Sequence, residues 1–403
     1  MRLSTSLIFT AGYDAIARQQ ADLFRTQQQV ATGKRIVTPA DDPVGAARAQ
    51  ALTASIHEGE RYSANIQAAN SALEQNDSLL GQVSDLLQRV RTLAVNGGSG
   101  ALSEADRTTI ATEIEGEAQQ LFALANSRDA AGKYLFAGNA IDTQPFAQGG
   151  TGVVYNGDQG QHQLQVAASR TLPVNLDGSS VFMAGRNGDG YVVARATAGN
   201  AGTGVIAPAS QSGSMNGHTY TLAFNNPPTD YTLTEKDALG NTVATTPGVP
   251  YTSGTAISYG GMQTTITGAP AAGDSFTLGP SHAQDLFATL SNLVATLKTP
   301  AVASGARTQV ANGIAAALQD LDQGIENIVT LRATTGAQMS ELDTLTNATA
   351  ARSIQDQDSL SGIVDVDYNK ALSDFSRQQV ALQAAQQSFV KVNGLSLFDY
   401  LKL

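Results

Sequence analysis

Proline and glycine are concentrated in the middle of this 403-residue chain. Residues 141–280 contain 22 of its 39 glycines and 9 of its 12 prolines. Because both residues interrupt helices and mark turns, this segment is expected to consist of strands and turns. The remaining three prolines leave the flanks free to form long helices. The sequence therefore predicts a multidomain α and β protein in which a β-rich segment interrupts a helical one.

Apolar residues recur every seven positions near both ends of the chain. The two registers comprise Phe9, Ile16, Leu23 and Val30 at the N-terminal end and Tyr368, Phe375, Leu382 and Phe389 at the C-terminal end. A seven-residue repeat is typical of a coiled-coil-like seam, which must pack against another helix. The simplest partner for the N-terminal helices is the C-terminal set. We therefore expect both chain ends to form one discontinuous bundle of long helices.

Local signals place the ends of several helices. Asp42 followed by Pro43 favours a helix start, and the glycines after Asn96 favour its end. Ser103, with Asp106 three residues on, predicts a third helix that runs to about Arg128. Asp41 and Asp42 could be paired catalytic carboxylates. Adjacent acidic residues at a helix start are far more often capping groups, and we interpret them so.

The middle segment shows the alternation expected of half-buried strands. The predicted strands cover residues 164–166, 191–193, 219–224, 230–234, 256–259, 263–267 and 275–278. Asn-Gly, Asp-Gly and Gly-Gly pairs between them favour hairpin turns, so the insertion is expected to be antiparallel. Residues 198–214 are rich in glycine and alanine. They would be a linker between two small β pieces or one long loop, and we favour the linker.

These patterns divide the chain into five parts. The expected parts are an N-terminal assembly helix (1–42), the N-terminal half of a helical rod (43–140), a β-rich insertion domain (141–280), the C-terminal half of the rod (281–355) and a C-terminal assembly helix (356–403). If the insertion forms two β pieces, they are expected to divide near residues 198–214.

The sequence lacks the motifs of common catalytic and metal sites. There is no cysteine, and the four histidines have no metal-ligand pattern beside them. No nucleophile elbow and no phosphate-binding loop occurs. We therefore predict no catalytic, cofactor-binding or metal-binding residues, and a structural rather than enzymatic function.

Charge and hydropathy argue against two further classes of partner. The net charge of −11 opposes binding to nucleic acid and to anionic lipid. No stretch approaches 18 consecutive apolar residues, so no membrane span is expected. The first residues also lack the apolar run and the cleavage site of a secretory signal peptide. We therefore expect no such signal peptide.

Several short segments resemble the bacterial flagellin family. Residues 32–43 (TGKRIVTPADDP) resemble the turn between its first two helices, and residues 365–368 (DVDY) resemble the start of its last helix. Residues 128–138 (RDAAGKYLFAG) and 395–401 (LSLFDYL) are more similar to its hook-associated members than to filament flagellins. A weaker match, at residues 266–276, is to a β-segment of hook-associated proteins.

The resemblance implies a structural subunit that acts as an adaptor where the flagellar hook meets the filament. Implied partners are copies of the chain itself, filament flagellin, an adjacent hook-associated protein on the hook side, and an export chaperone that holds the C-terminal segment. The family also implies export, unfolded, through the flagellar type III channel to an extracellular position. A filament flagellin is the alternative. An adhesin or phage-fibre subunit is a more distant one, because it would normally carry a signal peptide or trimer-forming β repeats.

The expected subunit interface consists of apolar residues near both ends. They are Leu3, Leu7, Phe9, Ile16, Leu23, Val30, Tyr368, Phe375, Leu382, Phe389, Leu395, Leu397, Phe398 and Leu401. Residues 1–40 and about 360–403 each carry one apolar seam and few charges, so the isolated pair is expected to be marginally stable. We expect these ends to be mobile in the free subunit and helical after assembly, because contacts with neighbouring subunits must offset the entropy of ordering.

Overall fold

A computed structural model describes residues 5–150, 152–301 and 303–400, and the side chains among residues 9–391 of those ranges. The chain forms two compact units. The first comprises Met1–Asn65 together with Thr344–Leu403, and the second comprises Ile66–Asp343. Both ends of the chain therefore contribute to the first unit, and the glycine- and proline-rich middle lies in the second.

Six α-helices form both flanks of the described chain. They are α1 (Thr5–Thr32), α2 (Pro43–Gly97), α3 (Glu104–Ala125), α4 (Leu286–Leu297), α5 (Ser304–Val364) and α6 (Tyr368–Tyr400). The capping signals in the sequence explain several of their ends. Ser103 and Asp106 form a reciprocal capping box at α3, and the Asp285 carboxylate accepts the backbone N–H of Ala288 at α4. The predicted start of α2 at Pro43 and its end near Gly97 are confirmed.

The middle of the chain forms thirteen described strands. They are β1 (Phe146–Gly149), β2 (Gly152–Tyr155), β3 (Gln163–Ala167), β4 (Arg170–Pro173), β5 (Val192–Ala196), β6 (Val205–Ile206), β7 (Ser210–Gln211), β8 (Thr219–Phe224), β9 (Asp230–Lys236), β10 (Thr242–Pro250), β11 (Ala256–Tyr259), β12 (Met262–Thr267) and β13 (Ser275–Pro280). A five-residue π-helix covers Ser179–Met183. Every strand predicted from alternation is present, although β5 begins one residue after Tyr191.

All described strand pairs are antiparallel. The largest sheet has the order β10-β9-β8-β13-β5, and a second contains β11-β12-β6 with β7 also paired to β12. Two hairpins, β1-β2 and β3-β4, stand apart from these sheets. Strands β6 and β7 lie in residues 198–214 and pair with β12, so this stretch contributes to a sheet.

The second unit contains two hydrophobic cores. The first combines helical residues, among them Leu87, Ile114 and Leu293, with Phe146 and Phe182 from the middle segment. The second is formed by strands β5 to β13 and includes Val192, Leu222 and Phe276. Residues 141–280 therefore contribute to both cores. The aromatic side chains before β5 pack among the helices, while the later strands pack on each other.

A largely buried ion pair joins β5 to α5. The Arg195 guanidinium donates to the Asp320 carboxylate, which also accepts the backbone N–H of Gly188 at 3.0 Å. The two side chains of the pair are only 24 % and 12 % exposed. Burial raises the pKa of Asp320, and the positive charge of Arg195 opposes that rise. The pair therefore depends on both partners being present.

Replacing Arg195 by methionine is expected to destabilise the second unit by roughly 2–3 kcal/mol, because the Asp320 carboxylate would stay buried without its partner. Arg170→Met is the matched control, since Arg170 pairs with Glu341 of α5 through side chains that are 50 % and 36 % exposed. The control is expected to lose less than about 1 kcal/mol. Chemical denaturation measures both changes, and equal losses would contradict the difference in burial.

Candidate assembly surface

Helices α1 and α6 pack against each other in antiparallel orientation. The rings of Phe9 and Phe389 lie 5.2 Å apart, and Gly33, just after α1, approaches the hydroxyl of Tyr368 at the start of α6. Gly12 also permits a close approach, since a Cβ atom there would lie 2.8 Å from the Phe389 ring. The N-terminal end of α1 therefore lies beside the C-terminal half of α6.

The residues between these two helices follow a three-four spacing, and we call them the seam. The seam consists of Gly12, Ile16, Gln19, Leu23, Thr26 and Val30 of α1 with Ala371, Phe375, Gln378, Leu382, Ala385 and Phe389 of α6, which are all buried or partly buried. Six of the residues predicted as a subunit interface therefore lie within the seam. The structure brings the two predicted heptad registers together inside one chain.

A stripe of exposed apolar side chains runs beside the seam. Tyr13 and Phe24 of α1 are 63 % and 59 % exposed, and Leu372 and Val390 of α6 are also exposed. Each follows a seam residue by one position, so each lies about 100° around its helix from the seam. Because the helices are antiparallel, this offset places all four on the same side of the pair. We call these four residues the flanking stripe.

The flanking stripe was missed by sequence reasoning, which followed only the seven-residue register. The signal was nevertheless present: Tyr13 and Phe24 are eleven residues apart, which is close to three helical turns. Phe9 and Tyr368, which were predicted as interface residues, are about half exposed at the edge of the seam, towards the flanking stripe.

The side chains of six other predicted interface residues lie outside the described part of the structure. Leu3 and Leu401 lie outside the described residues. Leu7, Leu395, Leu397 and Phe398 lie in described helices, but their side chains lie outside the described part of the structure. Their assignment to a subunit interface stays a prediction.

The turns at residues 33–42 and 365–367 meet, and we call them together the elbow. Gly33 has a φ of +69°, a left-handed conformation that favours glycine and ends α1. The backbone N–H of Arg35 donates to the carbonyl of Val364 at 2.6 Å, and that of Val366 donates to the carbonyl of Gly33 at 2.9 Å. These two bonds tie the end of α1 to the break between α5 and α6.

Arg35 reinforces the elbow with its side chain. Its guanidinium donates to the carbonyl of Ile363 at 2.7 Å and 3.1 Å, and to the carboxylate of Asp42 at 3.3 Å. One residue thus connects the C-terminal end of α5 with the N-terminal end of α2. The elbow therefore gives a structural reason for an arginine within the flagellin-like segment 32–43.

The two adjacent acidic residues of the elbow are hydrogen-bond acceptors with different roles, since Asp42 caps α2 and Asp41 closes the turn before it. Asp42 accepts the backbone N–H of Gly45 at 2.9 Å, and this bond lowers the pKa of its carboxyl. Asp41 accepts the backbone N–H groups of Thr38 at 2.7 Å and Val37 at 3.1 Å, and the bond from Thr38 lowers the pKa of Asp41. The capping interpretation is therefore confirmed for Asp42, whereas Asp41 holds the turn at residues 37–41.

The depressed pKa values predict how the elbow responds to acid. A carboxyl whose pKa is lower in the folded state stabilises that state above its ordinary pKa of 3.8, and the stabilisation is lost as the pH falls through the folded value. In a carbon NMR titration, both carboxyl carbons are expected to titrate below pH 3.8, while Asp41→Asn and Asp42→Asn assign the signals. Midpoints at or above 3.8 would contradict the hydrogen bonds that these two carboxylates accept.

The flagellin-like segment 128–138 has a packing role in the second unit. The Arg128 guanidinium lies 4.2 Å from the centroid of the Tyr134 ring. Phe136 is fully buried, with its ring 5.2 Å from that of Phe182. The segment therefore anchors the exit of α3 to the helical core before the chain enters β1.

The described residues offer no metal cluster, since none of them form a group of three or more histidine, cysteine, aspartate or glutamate side chains able to hold an ion. Over the same part of the chain, no helix combines the length and apolar character needed to cross a membrane.

Each end of the chain matches a family model of flagellin. Residues 3–140 match the bacterial flagellin N-terminal helical region, and residues 318–401 match the bacterial flagellin C-terminal helical region. These matches include the elbow, α1 and α6. The inserted strands lie between them.

The chain matches several curated and solved relatives over nearly the whole length of those relatives. The chain is 28 % identical to flagellar hook-associated protein 3 of Salmonella typhimurium over 99 % of each chain. It is 34 % identical to the crystal structure of Xanthomonas campestris FlgL, with a TM-score of 0.65 over 75 % of this chain and 99 % of that one. The flagellar junction protein FlgL from Legionella pneumophila is 28 % identical, with a TM-score of 0.69 over 80 % of this chain and 100 % of that one.

Proposed function

The chain belongs to the bacterial flagellin family, among its hook-associated protein 3 (FlgL) members, and on this basis we propose that it is the adaptor at the hook–filament junction of the flagellum. The observation that carries the proposal beyond family membership is the α1/α6 pair. Its seam is filled within the chain, and the adjoining flanking stripe is left exposed. The exposed stripe is therefore available for contact with a neighbouring subunit.

The flanking stripe supports a contact between subunits. Exposed aliphatic and aromatic side chains grouped on one side of a helix pair often mark association sites. Aromatic residues are also the commonest energetic anchors of protein interfaces. Tyr13 and Phe24 are therefore the residues of α1 that we assign to the contact, with Leu372 and Val390 on α6.

The ends of the chain complete the proposed interface. The interface that we propose also includes apolar residues near the two ends of the sequence, which are Leu3, Leu7, Leu395, Leu397, Phe398 and Leu401. Phe9 and Tyr368 border the flanking stripe. In this proposal, residues 1–42 and 356–403 are the assembly segments, residues 43–140 and 281–355 form the rod, and residues 141–280 are the β-rich insertion.

The proposed partners follow from the position at a junction. An adaptor must contact copies of itself, filament flagellin on one side and a hook-associated protein on the other. We also propose that an export chaperone holds the C-terminal segment before assembly and that the chain acts outside the cell. No catalytic role is proposed, because helix packing and capping account for the contacts around the elbow and the seam.

A filament flagellin is the alternative within the same family. The full-length similarity to hook-associated protein 3 and the sequences of segments 128–138 and 395–401 favour the junction. A junction subunit and a filament subunit also differ in how far they polymerise. A junction protein forms a short zone, whereas a flagellin forms the whole filament.

Deleting the gene for this chain tests the proposal. We expect cells with hooks that lack filaments, and export of flagellin monomers into the medium, because the filament would have no adaptor on which to grow. Restoring the full chain is expected to restore filaments. Normal filaments in the deletion strain would overturn the proposal, and loss of both hooks and exported flagellin would assign the chain to an earlier step.

A further inference from the structure

An arginine occupies the core-facing side of α3 at its first turn. Arg107 begins a series of buried residues at helical spacing that continues with Ala111, Ile114, Leu121 and Ala125. Arg107 itself is only 9 % exposed. Its Nη1 donates to the carbonyl of Leu102 at 3.3 Å, but its Nε is buried and has no hydrogen-bond partner. A charged side chain therefore stands where packing alone would favour an apolar one.

Arg107 borders an open cleft of about 580 Å³ within the second unit. The walls of the cleft are the turn between α2 and α3, the first turn of α3, the beginning of α5 and Val205 of β6. Arg307, an exposed residue of α5, lines the same cleft, and its Nε donates to the carbonyl of Ala301 at 3.3 Å. The N-terminus of a helix also carries a partial positive charge. Two cationic side chains and a helix N-terminus therefore border this cleft.

Neither arginine is paired with an acidic side chain of the described residues. The ion pairs that arginines form there include neither Arg107 nor Arg307. Glu104 also lines the cleft, but it forms no ion pair with either of them. Buried charges are normally paired, because removing a charge from water is costly. An anionic group is therefore the ligand that suits this cleft.

The unpaired edge of Arg107 is the edge that other arginines of the second unit present to carboxylates. Arg89, Arg170 and Arg332 each donate through Nε and Nη2 to the two oxygens of one carboxylate. In Arg107, Nε has no partner, and Nη2 forms no described hydrogen bond and is not fully buried. Two parallel N–H groups of this kind match the spacing of carboxylate oxygens.

We propose that the cleft binds a carboxylate group, which accepts hydrogen bonds from Nε and Nη2 of Arg107 in the positive field of Arg307 and the α3 N-terminus. Nη2 makes the first contact, and a small movement of the side chain brings the buried Nε–H into the second bond. The carboxylate belongs to a free small molecule or to an acidic side chain of a second copy, in which Asp and Glu number 35 against 24 Lys and Arg. The site uses residues of neither α1 nor α6, so it goes beyond the proposed function.

The test follows the arginine Nε–H signals of the full chain by heteronuclear NMR during titration with sodium acetate. Sodium chloride at the same ionic strength is the reference, and Arg107→Lys assigns the signal of Arg107. That signal is expected to shift saturably with acetate. Arg186 is the matched control, because its Nη1 also donates to a nearby carbonyl, that of Gly190 at 3.1 Å, but it is exposed. Its Nε–H is expected to respond to acetate no more than to chloride.

Variants measure what each charge contributes to the affinity, which line broadening of isotope-labelled acetate reports for every chain. Arg107→Lys keeps the charge but loses the paired N–H groups, so binding is expected to weaken by about tenfold or more. Arg307→Gln is expected to weaken it by about two- to fivefold, and Glu104→Gln to strengthen it by about twofold, because a nearby like charge is removed. Arg186→Lys should leave it unchanged.

Incorporation into flagella in the deletion strain separates the two sources of the carboxylate. Reduced incorporation of Arg107→Lys, with that of Arg186→Lys unchanged, would assign the carboxylate to a neighbouring copy. Equal incorporation of the two variants would assign it to a free molecule.

An Arg107 signal that acetate does not shift, or that only inorganic phosphate shifts, would overturn the proposal. The titration uses the unchanged free subunit, so its result depends neither on the folding of a variant nor on where the chain acts. Its failure and that of the gene deletion are therefore distinguishable.

Discussion

Replacing Tyr13 and Phe24 by glutamate is expected to reduce incorporation into flagella by more than about a hundredfold. Aromatic anchors at the centre of an interface typically contribute about 2 kcal/mol or more each, and a factor of ten corresponds to about 1.4 kcal/mol. The new carboxylates would add the further penalty of burying a charge without a partner. Both residues are exposed in the free subunit, so its folding should be little affected.

A matched control separates the loss of the aromatic side chains from the gain of charge. Ala11 and Ala15 are exposed on α1, and each precedes a seam residue by one position, which places them on the opposite side of the helix pair. Ala11→Glu with Ala15→Glu is expected to retain most incorporation. Circular dichroism should show the same helix content for both variants. Equal loss in the two would contradict the assignment of the flanking stripe.

Removing residues 394–403 is expected to abolish incorporation. The deletion takes away Leu395, Leu397, Phe398 and Leu401, which are the apolar residues of the predicted C-terminal contact. It leaves the second unit, Ile66–Asp343, complete in sequence. The truncated chain should therefore be soluble, and its second unit should unfold at the same denaturant concentration as in the full chain.

The control for the truncation keeps the apolar residues and removes the nearby charges. Asp399→Asn with Lys402→Gln is expected to be incorporated nearly as well as the unchanged chain, because single charges contribute little to a contact made by apolar side chains. Filament number per cell, counted by electron microscopy, measures both variants. If the truncated chain still joins hook to filament, the C-terminal segment is not the interface.

The helical part of the fold was predictable because its signals are local. The Asp42-Pro43 start of α2, the Ser103 capping box of α3 and the heptad registers of α1 and α6 each lie within a few turns of sequence. Capping and periodicity depend on such short-range contacts, so they survive without knowledge of the tertiary structure.

The missed strands lacked the pattern on which strand prediction depends. Strand β10 is exposed along almost its whole length and contains Pro247 and Gly248, so it shows no alternation of apolar and polar residues. Strands β6 and β7 have two residues each and exist because β12 pairs with them. Such strands are fixed by their neighbours in the sheet, and that information is not local.

The seam was predictable from the sequence, but the flanking stripe was not. The heptad registers identified Ile16, Leu23 and Phe375, and the structure places these residues in the seam within one chain. A seven-residue period describes a single helix face, so it could not reveal a second apolar row displaced by about 100°. Recognition of the flanking stripe required knowing which face the chain itself had already covered.

The elbow shows how a sequence motif acquires a physical explanation. Segment 32–43 and segment 365–368 were each recognised from the sequence, but nothing in either indicated that the two meet. The backbone bonds between Arg35 and Val364 and between Val366 and Gly33 join them. The motif residues therefore fix the direction in which α1 and α6 leave the rest of the first unit.

The position of the chain along the flagellum tests the central claim most directly. Leu239 is 87 % exposed at the turn between β9 and β10, so a small peptide tag after it should leave the fold intact. Gold labelling of the tagged chain in intact flagella is expected to mark one short band between hook and filament. Label distributed along the filament, or its absence from the hook–filament boundary, would contradict the account.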